Sequence, residues 1–403
     1  MKKPLKASLI ALGCLAGALA LVIAVSMVMY SPEYIVRVLV NRGSKITDYQ
    51  VFPERLIARS DSPYHLEYAP DEDLGSLPVE YTSGGKQATG TLGALLAENG
   101  TTSCIAVRGS KVVYEAYFNG YDRESVETSF SSVKSMDSLM IGMAIEDGFI
   151  QSVQQSIADF LPEFKGTAFE DITLENLLMM RSKIGYEEGF AWFTDDGMTY
   201  YMPDLRALAL RGMRIDPDYT GKFHYNNYHP LLLGLILERA TGKHVADYFR
   251  EKIWDKVGAE YDAGWSLDSE ETGFEKMESG LNFRSIDYAK IGCMLLNGGT
   301  WNGNRVIGKE WLEQSTVAAE PLKPEDIDSD FLKGKNAGYQ YMWYSVPDGQ
   351  GGHDFFAAGK YGQYLYISPG SDAVVVRTGM HTGKVDWWPD VLGQVAKAAG
   401  AVS

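Results

Sequence analysis

Two β-rich hairpin sequences bracket a long stretch in which apolar residues recur at helical spacing, and few folds accommodate that order. From Cys104 to Phe118 the runs Cys-Ile-Ala-Val and Val-Val-Tyr-Glu-Ala-Tyr-Phe flank Arg108-Gly109-Ser110-Lys111. Near the other end, residues 364–368 and 373–378 flank Pro369-Gly370-Ser371-Asp372, a strong turn sequence, and a last helix is expected over 388–398. Between them helical patterns occupy 131–147, 174–180, 230–241, 245–257, 286–297 and 309–315. The economical solution is an α+β domain: an antiparallel sheet made from both chain ends, flanked by helices, with a mostly helical insertion and a ligand cleft at the seam.

The N-terminus is of another kind. Residues 7–30 form 24 positions without a charge, preceded by Lys2, Lys3 and Lys6; at about 1.5 Å per residue such a helix spans roughly 36 Å, enough to cross a bilayer core. The expected division is a cytoplasmic tail at 1–6, a transmembrane anchor at 7–30, a juxtamembrane helix and linker at 31–90 and a catalytic domain at 91–403. Within that domain, 91–147 and 330–403 make the α/β part and 148–329 the helical part. Positive charge before the span places the catalytic domain outside the cytoplasm, against the weaker opposing signal of Arg37, Arg42 and Lys45. A cleaved signal peptide is the rival, but its small-residue triplets at 16–18 and 18–20 lie inside the apolar run. Ser31-Pro32-Glu33 reads as a helix start, with Ile35, Val36, Leu39 and Val40 on one face and Gly43 as the stop.

The formal charge is −16, and because the first thirty residues hold three lysines and no acid, the remainder carries −19. Phosphate backbones should repel such a surface, which sets nucleic-acid binding aside. Cys104 and Cys293 read as separate buried thiols, and the six histidines show no metal-like spacing. No metal and no cofactor is expected.

Ser131-Ser132-Val133-Lys134 opens a helical pattern whose apolar positions are Val133, Met136, Met140, Met143 and Ala144. A spacing of three puts Lys134 one turn along the same face as Ser131, and the helix mouth favours negative charge beside it. Serine attacks only when something removes its proton, and a lysine can do so where its surroundings disfavour the ammonium. Tyr225-Asn226-Asn227 precedes the 230–241 helix and can project a phenol and an amide into the seam. Similar short spacings at Ser83 to Lys86 and Tyr117 to Asn119 lack a following helix or sit in a strand. No glycine-x-serine-x-glycine elbow is present, which argues against an α/β-hydrolase.

Taken with the glycine-rich Ala358-Gly359-Lys360-Tyr361-Gly362-Gln363, these ordered elements resemble the penicillin-recognising serine hydrolases. The similarity is greatest to the class C β-lactamase-like branch that includes esterases and 6-aminohexanoate-dimer hydrolases. The resemblance runs from about Leu92 to the C-terminus and implies a β-lactamase/transpeptidase-like fold. It implies Ser131 as acylated nucleophile, Lys134 as general base, Tyr225 as second proton carrier, and Asn227 as a contact to Lys134 and substrate. It also implies an edge strand carrying Gly359, with the backbone N–H groups of Lys360 and Ser131 as oxyanion hole and Gln363 on the substrate side. Tyr186, Glu187 and Glu188 follow the family's substrate-side segment. One departure stands out: Ala357 occupies the place of the lysine or histidine that binds a substrate carboxylate, so an ester or uncharged-end amide is the expected substrate. The alternatives are a β-lactamase or D-alanyl peptidase, or a non-catalytic membrane-tethered sensor of the same fold.

Overall fold

Residues Ala373–Gly379 are buried at every position and Thr101–Arg108 at all but the last, the signature of strands covered on both faces. In the computed structural model, which describes residues 3–189, 192–317, 322–323, 327–328 and 331–401, these two strands pair antiparallel and join the chain ends in one sheet. The sheet has eight strands, in the order Gly338–Gln340, Trp343–Pro347, His353–Gly359, Gln363–Ser368, Ala373–Gly379, Thr101–Arg108, Lys111–Tyr117 and Glu67–Tyr68. The last pair is parallel, the others antiparallel. Helix Ser285–Leu296 covers one face, where the bare Gly292 backs onto Val374 and Leu365; helix Trp388–Ala401 covers the other, where Gly393 faces the Tyr366 hydroxyl. Adjacent residues 365 and 366 thus point to opposite layers, as strand alternation requires.

The helical patterns correspond to helices Lys134–Glu146, Leu174–Leu178, Tyr228–Thr241, Ser285–Leu296 and Lys309–Thr316, while 245–257 divides into an α-turn pair Val245–Phe249 and a π-helical Arg250–Trp254. Helices Leu92–Glu98, Asp195–Tyr201 and Leu205–Arg211 are additional. Cys104 and Cys293 are free and buried.

One expectation needs correction. The strand ending at Gly359 is not at the sheet edge, because Gly338–Gln340 and Trp343–Pro347 lie outside it. Pairing with Trp343–Pro347 reaches only Phe356, however, so Ala357–Gly359 have no strand partner on that side among the described residues. The stretch 44–90, expected as a linker that partly wraps the domain, contributes strands of its own: Glu54–Ile57 joins Ala263–Ser266, Leu281–Phe283 and Glu127–Thr128 in a second, four-stranded sheet, and Pro78–Ser83 pairs with Lys86–Thr91.

At the N-terminus, helix α1 (Lys3–Tyr30) contains an uncharged stretch, Ala11–Tyr30, long enough to cross a membrane. Lys2 lies outside the described residues. Helix α2 (Pro32–Asn41) starts as expected, with the Ser31 side chain accepting from the Tyr34 N–H, and ends at Arg42 in the left-handed region. Its apolar residues divide between two faces: Tyr34 and Ile35 are buried with Phe52 and Tyr201, whereas Val36, Leu39 and Val40 are exposed.

The second sheet carries Glu127, whose buried carboxyl is pushed up to about 7 by desolvation, against the opposing pull of the Thr102 and Thr378 hydroxyls and the Arg377 guanidinium. A carboxyl raised on folding holds its proton in the native state while the unfolded chain releases it, so stability is lost as pH rises through that window. Compared with Glu127→Gln, the wild-type chain should lose about 3 kcal/mol of stability between roughly pH 4.5 and pH 7. Denaturant melts across that range test this, and a constant difference between the two proteins refutes it.

Candidate active site

Glu127–Thr128 delivers the chain to the seam, where the Ser129 N–H bonds the Leu281 carbonyl at 2.8 Å and the Ser129 hydroxyl bonds the Ser279 carbonyl. Phe130 then takes φ 45°, a left-handed conformation rare for an aromatic residue, with its ring edge-on to Tyr361. This kink turns Ser131 into a short 3₁₀ turn, Phe130–Val133, at the mouth of the helix Lys134–Glu146. Ser131 remains partly exposed; Ser132, Val133 and Lys134 are buried.

Lys134 reaches back one turn. Its ammonium donates to Ser131 Oγ at 2.8 Å and to the Glu278 carbonyl at 2.9 Å, and lies 5.1 Å from the centre of the Tyr225 ring. One turn deeper is Asp137, fully buried, with no hydrogen-bond partner for either carboxylate oxygen among the described residues. Desolvation drives the Asp137 carboxyl well above the usual carboxylate range; Lys134 pulls the other way and Glu278 adds to the rise. The protonated form is favoured accordingly. His229, also near Lys134, is pushed down to about 3 chiefly by burial, and its ring is held between Ser182 Oγ and the Met180 sulfur. Burial thus disfavours the charged form of both groups beside Lys134.

Tyr225 enters from the loop before helix Tyr228–Thr241. Asn226 fixes that loop: its amide donates to the Ile184 carbonyl at 3.0 Å and accepts from the Tyr228 N–H at 2.9 Å. Tyr225 and Ser131 line the same cleft. Asn227 also lines it, but its amide donates to the Tyr186 hydroxyl at 2.7 Å and to Asp196 at 3.2 Å, so the expected bond to Lys134 is replaced by one to a buried tyrosine–carboxylate pair. Tyr186 thus supports Asn227 from behind.

The glycine strand closes the other side. A Cβ on Gly359 would lie 2.3 Å from the Ser129 carbonyl and 3.1 Å from the Ser132 nitrogen, so only glycine lets this strand meet the serine turn. Gly359→Ala should push the two apart; at the cost typical of an ångström-scale misplacement, kcat/KM falls about 100-fold. Kinetics on the purified variant check this, and undiminished turnover would mean that the contact is not needed. Ala358 lines the cleft, whereas Ala357 is fully buried outside its lining, so no cation stands in that register. Lys360 follows with its ammonium 2.9 Å from Ser44 Oγ; burial lowers its pKa, opposed by Asp196 and Asp48. Gln363 is a correction: its buried amide both donates to and accepts from the Gly379 backbone, across the sheet rather than toward substrate. Gly362, at φ 85°, leaves room for Arg377.

The cleft has two lobes meeting at Ser131, Glu188, Tyr225 and Lys360. One, about 320 Å³, is walled by Phe331, Tyr344, Tyr361 and Tyr364; the other, about 260 Å³, by Ser44, Asp196, Tyr200, Asn227 and Glu278. Ser44, Tyr344 and Glu278 escaped sequence reasoning, since nothing around them suggests a site. Tyr361 lies within the glycine-rich motif and Tyr364 directly follows it, and neither carried a role of its own in the sequence.

A beta-lactamase family model matches residues 91–385, a stretch holding all three motifs. The chain belongs to the beta-lactamase family. The 6-aminohexanoate-dimer hydrolase of Paenarthrobacter ureafaciens is 27% identical over 315 residues, covering 73% of this chain and 74% of that protein. A solved Bacillus anthracis structure assigned as a 6-aminohexanoate-dimer hydrolase superposes with TM-score 0.75 at 23% identity, covering 89% of this chain and 92% of the other. A D-stereospecific amidohydrolase from Streptomyces gives TM-score 0.56 at 16% identity, with 77% and 97% covered. The chain is accordingly a serine hydrolase of the beta-lactamase family, built on the β-lactamase/transpeptidase-like α+β fold.

Proposed function

We propose that the chain cleaves an ester or amide through a covalent acyl-enzyme on Ser131. The observation that carries this reading is the 2.8 Å contact between a buried Lys134 amine and the Ser131 hydroxyl at the meeting point of two cleft lobes. Lys134, as the free amine, takes the Ser131 proton while Oγ forms a bond to the substrate carbonyl carbon. The oxyanion that develops accepts from the Ser131 and Lys360 N–H groups at the helix mouth. Tyr225 hands a proton to the departing alcohol or amine as the carbonyl re-forms and is reprotonated by Lys134 with the proton taken from Ser131, and water then releases the acid by the reverse sequence.

The absence of a cation at Ala357 supports an ester or an uncharged-end amide over a β-lactam or peptide C-terminus. A second reading, β-lactamase or D-alanyl peptidase, is favoured by one observation: the Lys360 ammonium lines both lobes and could take a substrate carboxylate. The uncharged run ending at Tyr30, preceded by basic residues, supports a single-pass anchor with the catalytic domain outside the cytoplasm.

Labelling with a fluorophosphonate tests the reading: one adduct, on Ser131, is expected. A wild-type protein that takes no label would instead be a sensor retaining the fold. Parallel rates on p-nitrophenyl esters, nitrocefin and 6-aminohexanoate dimer then choose among the substrate classes.

A further inference from the structure

The last two turns of α1 are not free of the domain. Ile23, Met27 and Tyr30 pack against the cluster of Tyr34, Ile35, Phe52 and Tyr201, and Trp192 joins the same cluster, its carbonyl accepting from the Tyr34 hydroxyl at 2.8 Å. From Ile23 to Tyr30 the helix rises about 10 Å. If Ala11–Tyr30 crosses a bilayer, whatever packs against Ile23 and Met27 shares their depth. The surface there has the composition that depth demands. Val36, Leu39 and Val40, at spacings of three and four on the outer face of α2, are 49%, 40% and 69% exposed, and Phe193 beside Trp192 is 55% exposed. Tyr30 and Trp192, both partly exposed, pack on that cluster as aromatic residues at a membrane interface do, and the exposed Arg42 follows where the helix ends.

Beyond α2, the chain enters the cleft directly. Ser44 accepts from the Lys360 ammonium through its hydroxyl and from the Tyr361 hydroxyl, at 2.6 Å, through its carbonyl, and it walls one lobe beside Ser131. A ten-residue helix is about 15 Å long, so the catalytic cleft lies within roughly that distance of the lipid.

We propose that α2 and the Trp192–Phe193 turn seat this domain in the outer surface of the bilayer, so that the cleft draws amphiphilic esters or amides from the membrane phase. The occupant of the exposed apolar face is lipid, on the continuity of that face with the uncharged helix. This rests on the hydrolase and anchor readings above, and the experiment separates them.

The full chain is reconstituted in phosphatidylcholine vesicles containing doxyl-labelled lipid. It carries Cys14→Ser and either Leu39→Cys or, on the far side of the sheet, Lys397→Cys, each labelled with an environment-sensitive dye. Doxyl lipid should quench the dye at 39 and not at 397; equal quenching, or none, overturns the proposal. In a second arm, Val36→Ser/Leu39→Ser/Val40→Ser should hydrolyse a water-soluble p-nitrophenyl acetate at the wild-type rate, while losing about tenfold on a long-chain p-nitrophenyl ester dissolved in the vesicles. Equal loss on both esters also overturns it. A wild-type protein inactive on both esters sinks the hydrolase reading, while the quenching result still decides the membrane surface.

Discussion

Replacing Ser131 by alanine should abolish turnover of an activated short-chain ester, lowering kcat by about four orders of magnitude or more, with the fold intact. The magnitude follows from what is lost: the atom that bonds to the acyl carbon has no substitute in the cleft, and oxyanion donors alone retain only residual catalysis. The intact fold follows from the surroundings. Ser131 is only partly buried, and among the described residues its side chain is hydrogen-bonded by Lys134, which keeps its bond to the Glu278 carbonyl when the hydroxyl is gone. The variant should therefore melt within a few degrees of wild type, take no fluorophosphonate and still bind substrate, so that KM-independent loss of kcat is the signature. Undiminished turnover would end the Ser131 assignment.

How much of this was legible beforehand depended on whether the signal was local. The serine–lysine helix carried its own periodicity, and the 104–118 and 364–378 hairpins carried uninterrupted β-branched and aromatic runs that only a doubly covered sheet explains. The second sheet was hidden because its members are two to four residues long and Glu54–Ile57 alternates weakly, with Leu56 turned to solvent. The placement of the glycine strand inside the sheet was hidden for a similar reason: Gly338–Gln340 is short and follows a polar, glycine-containing stretch. The partners of Asn227, which does line the cleft, and of Gln363 were not legible because an amide takes whichever partner the tertiary fold provides. Tyr186 and Asp196 lie 41 and 31 residues from Asn227, and Gly379 lies 16 from Gln363. Ser44 was missed because it lies in what read as linker, although its hydroxyl and carbonyl bond Lys360 and Tyr361 at the cleft.

Replacing Lys134 by alanine should slow acylation by about 10³- to 10⁴-fold, the upper range for loss of a positioned base. Three consequences of its placement separate this role from a structural one. Lys134→Arg keeps the positive charge but not the chemistry, because a guanidinium does not give up its proton, so it should fail to restore the rate of fluorophosphonate labelling. Lys134→Met keeps the buried stem and removes the amine, so it should be as slow as the alanine variant while recovering packing against the wall formed by Tyr225. Removing the ammonium also takes away the charge that draws the Asp137 carboxyl down, leaving burial and Glu278 to raise it further. A carboxyl raised on folding contributes stability that is present at low pH and lost as pH rises through its folded value. Lys134→Met should accordingly be most stable, relative to wild type, in acid, and Lys134→Met/Asp137→Asn should lose that pH dependence because an amide does not titrate. Rates of labelling at Ser131 across pH, read beside melting curves of the same proteins, test both claims. A Lys134→Ala enzyme that acylates at the wild-type rate with an unchanged pH profile would assign the proton to another group, and Tyr225 would be the next to replace.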